Sequence, residues 1–197
     1  KVSYVGAGIG GTGSHFGAYR VQSALLSKKP DIVFVEFSVN DSATAGATFS
    51  MEALLRQILS APNEPAVVMI GMLNQDGVNA QEAHAPVARH YGLPYISVKN
   101  ALWPEIQNGR APWASLFSDN VHPNDEGHAL VAQLVRNYLD QLEMMPRPKA
   151  APEFPEPLDS TTDDYRKTAL AHAGSDVSAA PIRLVENTGW TILPDSR

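Results

Sequence analysis

Cysteine is absent from all 197 residues. That absence excludes a disulfide framework, a thiolate metal site and a cysteine nucleophile together, while leaving the compartment open, secreted and periplasmic included. No apolar run approaches the roughly 18 residues of a membrane-spanning helix, so no span is expected. A basic run is missing too: 15 Lys and Arg are interspersed among 21 Asp and Glu, for a formal net charge of -6. Such a balance gives no electrostatic footprint for nucleic acid or anionic lipid, and neither is expected as a partner. The chain also lacks a charged start followed by an apolar signal region. It opens in a strand-like segment, so either a signal has been removed or Lys1 is not the natural start.

What is present is a 44% hydrophobic chain, enough for one substantial core with a remainder for a linker or part of a second domain. Residues 2–7 read as a strand, followed by the glycine-rich loop Gly8-Ile9-Gly10-Gly11-Thr12-Gly13-Ser14. Ala18, Val21, Ala24 and Leu25 recur at helical spacing. Residues 31–38 form a nearly continuous apolar run, as in a parallel strand covered on both faces, and Val39-Asn40-Asp41-Ser42 leaves it as a turn. A second helical stripe (Phe49, Met51, Leu54, Leu55, Ile58, Leu59) precedes another buried strand at 66–72. Residues 81–91 read as a helix that starts or kinks at Pro86, 94–97 as a short strand, and 99–107 as a helix around Pro104. Residues 124–143 read as a long amphipathic helix. Alternating strands and helices predict an α/β fold with a parallel sheet and helices on both faces.

This first domain is placed at residues 1–145. Five prolines, at 146, 148, 152, 155 and 157, favour extended backbone and mark 146–157 as a linker. Residues 158–197 are polar except for strand-like runs at 182–185 and 190–193, which suit a tail packed on the first domain or the start of a β-rich domain.

Ester hydrolysis by a serine enzyme needs a base, a carboxylate to orient it, and donors aimed at the developing oxyanion. Asp119 lies three residues before His122, close enough in a loop for its carboxylate to accept from the imidazole. The alternative for this segment is a helix-entry loop in which Asp119 or Asn124 caps. Gly11 and Asn40 each fall just past the carboxyl end of a strand, the edge at which sites assemble in open α/β sheets. A backbone N–H at Gly11 and the Asn40 amide are candidate oxyanion donors; both residue types are also ordinary turn formers.

Gly8-Ile9-Gly10-Gly11-Thr12 resembles the glycine block of SGNH (GDSL-type) hydrolases, Val39-Asn40-Asp41 their asparagine block, and Asp119-Asn120-Val121-His122-Pro123 their D-x-x-H-P block. Order and separations match over about residues 2–143. The resemblance implies a flavodoxin-like three-layer α/β/α sandwich, with Gly11 and Asn40 as oxyanion donors and Asp119 and His122 as two members of a triad. It implies no cofactor and, as substrate, a small acyl ester such as an acetylated carbohydrate. The family begins with a G-D-S block on a first strand, and no G-D-S occurs in this chain. The resemblance therefore predicts a missing strand between 2–7 and 31–38, supplied from before Lys1 or by a second molecule, because its absence leaves unsatisfied inner edges.

Ser14 lies within the oxyanion block, and its surroundings do not form the G-x-S-x-G elbow of the other hydrolase fold, so it is not placed as the nucleophile. Glu36 shares a strand face with Ser38 and Asn40 and is expected to be structural, with a basic partner. His84, His90 and His128 lack ligand spacing, which favours solvated or capping roles over metal, and no metal is expected. Trp103 and Trp113 suit packing before sugar stacking. Two functions stay open: a serine esterase, with thioesterase, lipase or aryl-esterase activity using the same machinery, or a glycan-binding module that has lost its nucleophile.

Overall fold

The computed structural model describes residues 2–145 and 154–167. Its centre is a parallel sheet in the order β1 (Ile32–Val35), β2 (Ala66–Gly71), β3 (Tyr95–Ser97). Register runs from Ile32 opposite Ala66 and from Met69 opposite Tyr95. Each parallel step requires a crossover, and α2 (Ala45–Leu59) and α3 (Gln81–His90) provide them. Before β1 comes α1 (Ser14–Ala24); after β3 come α4 (Val98–Gln107), α5 (Trp113–Leu116) and α6 (Asp125–Met144).

Helices cover both faces. On one, Ala18 and Val21 of α1, Leu54, Leu55 and Ile58 of α2 and Val87 of α3 pack on Val33, Val35, Val67 and Met69. On the other, Val98 and Leu102 of α4 and Phe117 meet Leu130, Val131 and Leu134 of α6. This is the three-layer α/β/α arrangement expected from the alternation.

The expected strand at residues 2–7 does not form; Val2 is 97% and Tyr4 91% exposed. Its side chains suit a strand, but a strand is held by a neighbour's backbone, and among the described residues it has none. Among the described residues the near edge of β1 has no partner strand, and Ile32 and Phe34 of β1 are exposed. β1 is also shorter than its apolar run. Glu36 accepts from Ser38 N (2.7 Å) and Ser38 Oγ (2.5 Å), and the N–H groups of Asn40 and Asp41 both turn back to Phe37 O, so the chain leaves the sheet after Val35.

Pro86 lies inside α3 rather than at its start. It removes the donor for the Glu82 carbonyl, and since Glu82 and Pro86 are both exposed, water can take that place. Asn124 caps α6, its side chain accepting from Gly127 N at 3.0 Å.

Residues 154–167 are docked onto α2 and α3. Buried Arg56 donates through Nε and Nη2 to Asp163 (2.7 and 3.2 Å) and through Nη1 to Tyr91 Oη and Pro155 O (both 2.9 Å). Buried Glu52 accepts from Tyr91 Oη (2.7 Å), Leu158 N (2.6 Å) and Asp159 N (3.1 Å). Phe154 lies under the Arg56 guanidinium, 4.6 Å from ring centroid to Cζ. The strand-like runs at 182–185 and 190–193 lie outside the described residues.

Candidate active site

The loop between Phe117 and Asn124 is a tight reversal closed by a bridge from Phe117 to Pro123 and by Ser118 N to His122 O at 2.8 Å. Within it, Asp119 Oδ2 is 2.8 Å from His122 Nδ1, while Oδ1 accepts from Val121 N and His122 N, each at 2.8 Å. The backbone bonds from Val121 and His122, then the imidazole bond, hold the Asp119 carboxyl down at about 2. A carboxylate fixed on Nδ1 selects the tautomer with Nε2 unprotonated, the nitrogen left for a hydroxyl. Asn124, not Asp119, caps the following helix.

Two contacts hold the loop from outside. Trp113 stacks on Phe117 (centroids 3.7 Å apart, planes at 8°) and donates Nε1–H to Asp119 O at 2.8 Å. Gln75 N, in the turn after β2, donates to Asn120 O at 2.9 Å. That turn stands at the carboxyl edge of the sheet and ties the Asp119–His122 loop to it. Trp103 packs over Gly77 in the same turn: Gly77 has φ +70°, and a Cβ there would overlap the indole.

Asn40 follows β1 at the same edge, exposed, in the turn opened by Phe37. Gly11 has φ +70° in an exposed turn that Thr12 braces by donating its hydroxyl to Ile9 O at 2.7 Å. The structure joins these two loops, for Asp41, next to Asn40, accepts from Ser14 N at 2.9 Å. No hydrogen bond among the described residues runs directly from Gly11 or Asn40 to Asp119 or His122.

Ser14 is fully buried, with Oγ 2.6 Å from Ser50 Oγ, a structural position. The basic partner expected for Glu36 is not among its hydrogen bonds; Ser38 takes that place because the turn needs an acceptor. His84 corrects the sequence expectation more sharply. Instead of being solvated or capping, it is 1% exposed and its Nε2 lies 2.9 Å from Asp41 Oδ2. His90 bonds Glu156 O at 2.7 Å, and His128 is exposed in the first turn of α6. Among the described residues no three His, Asp or Glu side chains are grouped to hold a metal ion, and no helix is long and apolar enough to cross a membrane.

Comparison with known proteins identifies the family and the fold. Residues 1–130 match the model of the GDSL-like lipase/acylhydrolase family. Among solved structures, the chain is similar to a two-domain esterase, CEX, active on acetylated mannans: 40% identity and a TM-score of 0.78, over 80% of this chain and 43% of that one. The same esterase co-crystallised with mannopentaose gives 40% and 0.76 over 80% and 42%. An acetyl xylan esterase, AlAXEase, is 21% identical with a TM-score of 0.58 over 70% of this chain and 81% of its own, a likeness of fold alone. No curated protein matches in sequence. The chain spans less than half the length of the two-domain esterase.

Proposed function

The chain belongs to the GDSL-like lipase/acylhydrolase family, and on that premise we propose that it is the catalytic part of a serine esterase that removes acetyl groups from carbohydrates. The observation that carries this reading is the Asp119–His122 pair, a carboxylate bonded to Nδ1 that leaves Nε2 toward solvent. The 40% identity to an esterase active on acetylated mannans supports the substrate class.

In this mechanism a serine hydroxyl attacks the acetyl carbonyl while His122 Nε2 takes its proton, and Asp119 stabilises the imidazolium. Charge developing on the carbonyl oxygen is met by Gly11 N–H and the Asn40 amide; a donor of this kind contributes about 10²- to 10³-fold in rate. His122 then returns the proton to the departing sugar hydroxyl, and water repeats the sequence on the acyl-serine. The serine is assigned to a strand carrying G-D-S, from the same polypeptide or a second one. Such a strand fits the edge of β1, which has no partner among the described residues, beside exposed Ile32 and Phe34.

Treatment of the natural polypeptide with a fluorophosphonate, read by intact mass, is expected to give one covalent adduct on a serine. Turnover of 4-nitrophenyl acetate and acetate release from acetylated mannan should be lost with it. Absence of both adduct and acetate release would overturn the esterase reading. Retained binding of acetylated mannan would then identify a glycan-binding module.

A further inference from the structure

Gly11 and Asn40 stand on separate loops, one entering α1 and the other leaving β1, so their relative placement depends on whatever fastens the loops together. The Asp41 carboxylate does so: Oδ1 accepts from Ser14 N and Oδ2 bonds His84 Nε2, both at 2.9 Å. Its side chain is 8% exposed and that of His84 1%. Burial pushes the Asp41 carboxyl up, but the bonds from His84 and Ser14 outweigh it and keep the group below its ordinary value, hence ionised.

The surroundings leave this carboxylate little freedom. Gly13 lies against it so closely that a Cβ would overlap Oδ1. Ser14 Oγ, bonded to Ser50 Oγ, fixes the first turn of α1 to α2. His84 is anchored in turn, because Ala80 N donates to Ser38 O (2.7 Å) at the start of its helix and Thr48 Oγ1 to Ala83 O (3.2 Å) beside it.

We propose that Asp41 and His84 are positioning residues that set the Gly11 and Asn40 donors against one another, so that a buried pair out of reach of substrate governs oxyanion stabilisation. This rests on the esterase reading of those two loops. A carboxylate with one oxygen on each of two partners fixes both distance and direction, and a displacement near 1 Å at a reacting centre costs about 100-fold in rate.

The test is steady-state turnover of 4-nitrophenyl acetate by the natural polypeptide, with thermal unfolding in parallel. His84→Ala is expected to lower kcat by about 10- to 100-fold with KM changed less than about twofold, at a temperature where the variant is folded. His84→Gln, which can return an amide N–H to Asp41, should recover most of that loss. Because the pair sets Asn40 against Gly11, adding His84→Ala to Asn40→Ala should cost clearly less than the two single losses multiplied, the remainder being the effect on Gly11. Gly13→Ala, which displaces Asp41 without touching α3, should show the same kcat loss and the same non-additivity, and it decides the matter if His84→Ala does not fold. Folded variants with kcat within about twofold of the parent, or losses that multiply with Asn40→Ala, would overturn the proposal. If His122→Ala leaves turnover intact, the esterase reading itself has failed; if only the His84 and Gly13 variants are silent, that reading stands and this inference falls.

Discussion

The two halves of the candidate site are built on opposite principles. Around Gly11 and Asn40 the supporting side chains are buried, with His84 at 1% and Asp41 at 8% exposure, whereas His122 and Asp119 are 76% and 54% exposed. In the proposed mechanism the oxyanion donors must be fixed before charge develops, because reorganising them during the reaction would forfeit their effect; burial of their supports serves that need. In that mechanism the general base must reach a hydroxyl carried by another segment, and an open outer face allows that. Exposure here is not looseness. The Asp119 carboxylate takes two backbone N–H groups besides the imidazole, and Trp113 and Gln75 hold the loop backbone.

That comparison is tested most strongly by His122→Ala. Loss of the base should lower kcat by at least about 10⁴-fold, the scale on which triad members act. Unfolding temperature should change by less than about 2 °C, since an exposed side chain on a surface loop contributes little to stability. Stopped assays and calorimetry on one preparation would check both. A large drop in unfolding temperature would show that the loop carries the fold and would dissolve the contrast.

Arg56→Ala should behave in the opposite way. Arg56 is buried and bonds Asp163, Tyr91 and Pro155, so its removal strips partners from the docked segment 154–167 and from the Tyr91 hydroxyl that donates to Glu52. Because Asp163 is 39% exposed and water can partly replace its partner, losing these charge-assisted bonds costs about 1.5–3 kcal/mol. Denaturant unfolding should record that loss, with kcat at 25 °C nearly unchanged because Arg56 lies in α2, away from the strand edge that carries the site. A kcat loss comparable with that of His122→Ala would show that the docked segment shapes the site.

Why some of this was legible in the sequence and some was not follows from the range of the interactions. The helix at 124–143 and the strand at 66–72 are read from local periodicity and emerge as Asp125–Met144 and Ala66–Gly71. Asp119 and His122 are also local, three residues apart in one loop. Residues 2–7 have strand-like composition but no neighbour among the described residues, and periodicity cannot supply one. His84 was expected at the surface because its partner Asp41 is 43 residues away. A signal existed: His84 lies among Ala83, Val87 and Ala88 on the buried face of α3. Arg56 and Glu52 interrupt an apolar stripe, and partners up to 107 residues away explain them.

The exposed half can be probed without mutation. Bonds from Val121, His122 and the imidazole hold the Asp119 carboxyl down at about 2, below the ordinary aspartate value near 3.9. With a depressed folded value, the stabilisation these bonds give is complete above about pH 4 and is lost as pH falls toward about 2. Side-chain carboxyl NMR should therefore find the Asp119 midpoint near 2, with the amide signals of Val121 and His122 moving alongside. A midpoint near 3.9 would mean that the loop is open in solution and that its exposure is looseness after all.

The smallest expected effect isolates the outer brace of that loop. Trp113→Phe keeps an aromatic ring to stack on Phe117 but removes the Nε1–H that Asp119 O accepts. The carbonyl is in an exposed loop, so water can replace the lost donor and the net cost should be about 1 kcal/mol or less. Asp119 keeps its own bonds to Val121 and His122, which orient the imidazole directly, so kcat should fall by no more than about fivefold. Trp113→Ala also removes the stack and should cost several-fold more in kcat, with a measurable loss of stability because it uncovers Phe117. If the two variants are equally impaired, the indole N–H rather than the ring holds Asp119 in place, and the loop owes its rigidity to one hydrogen bond from outside rather than to its own turn.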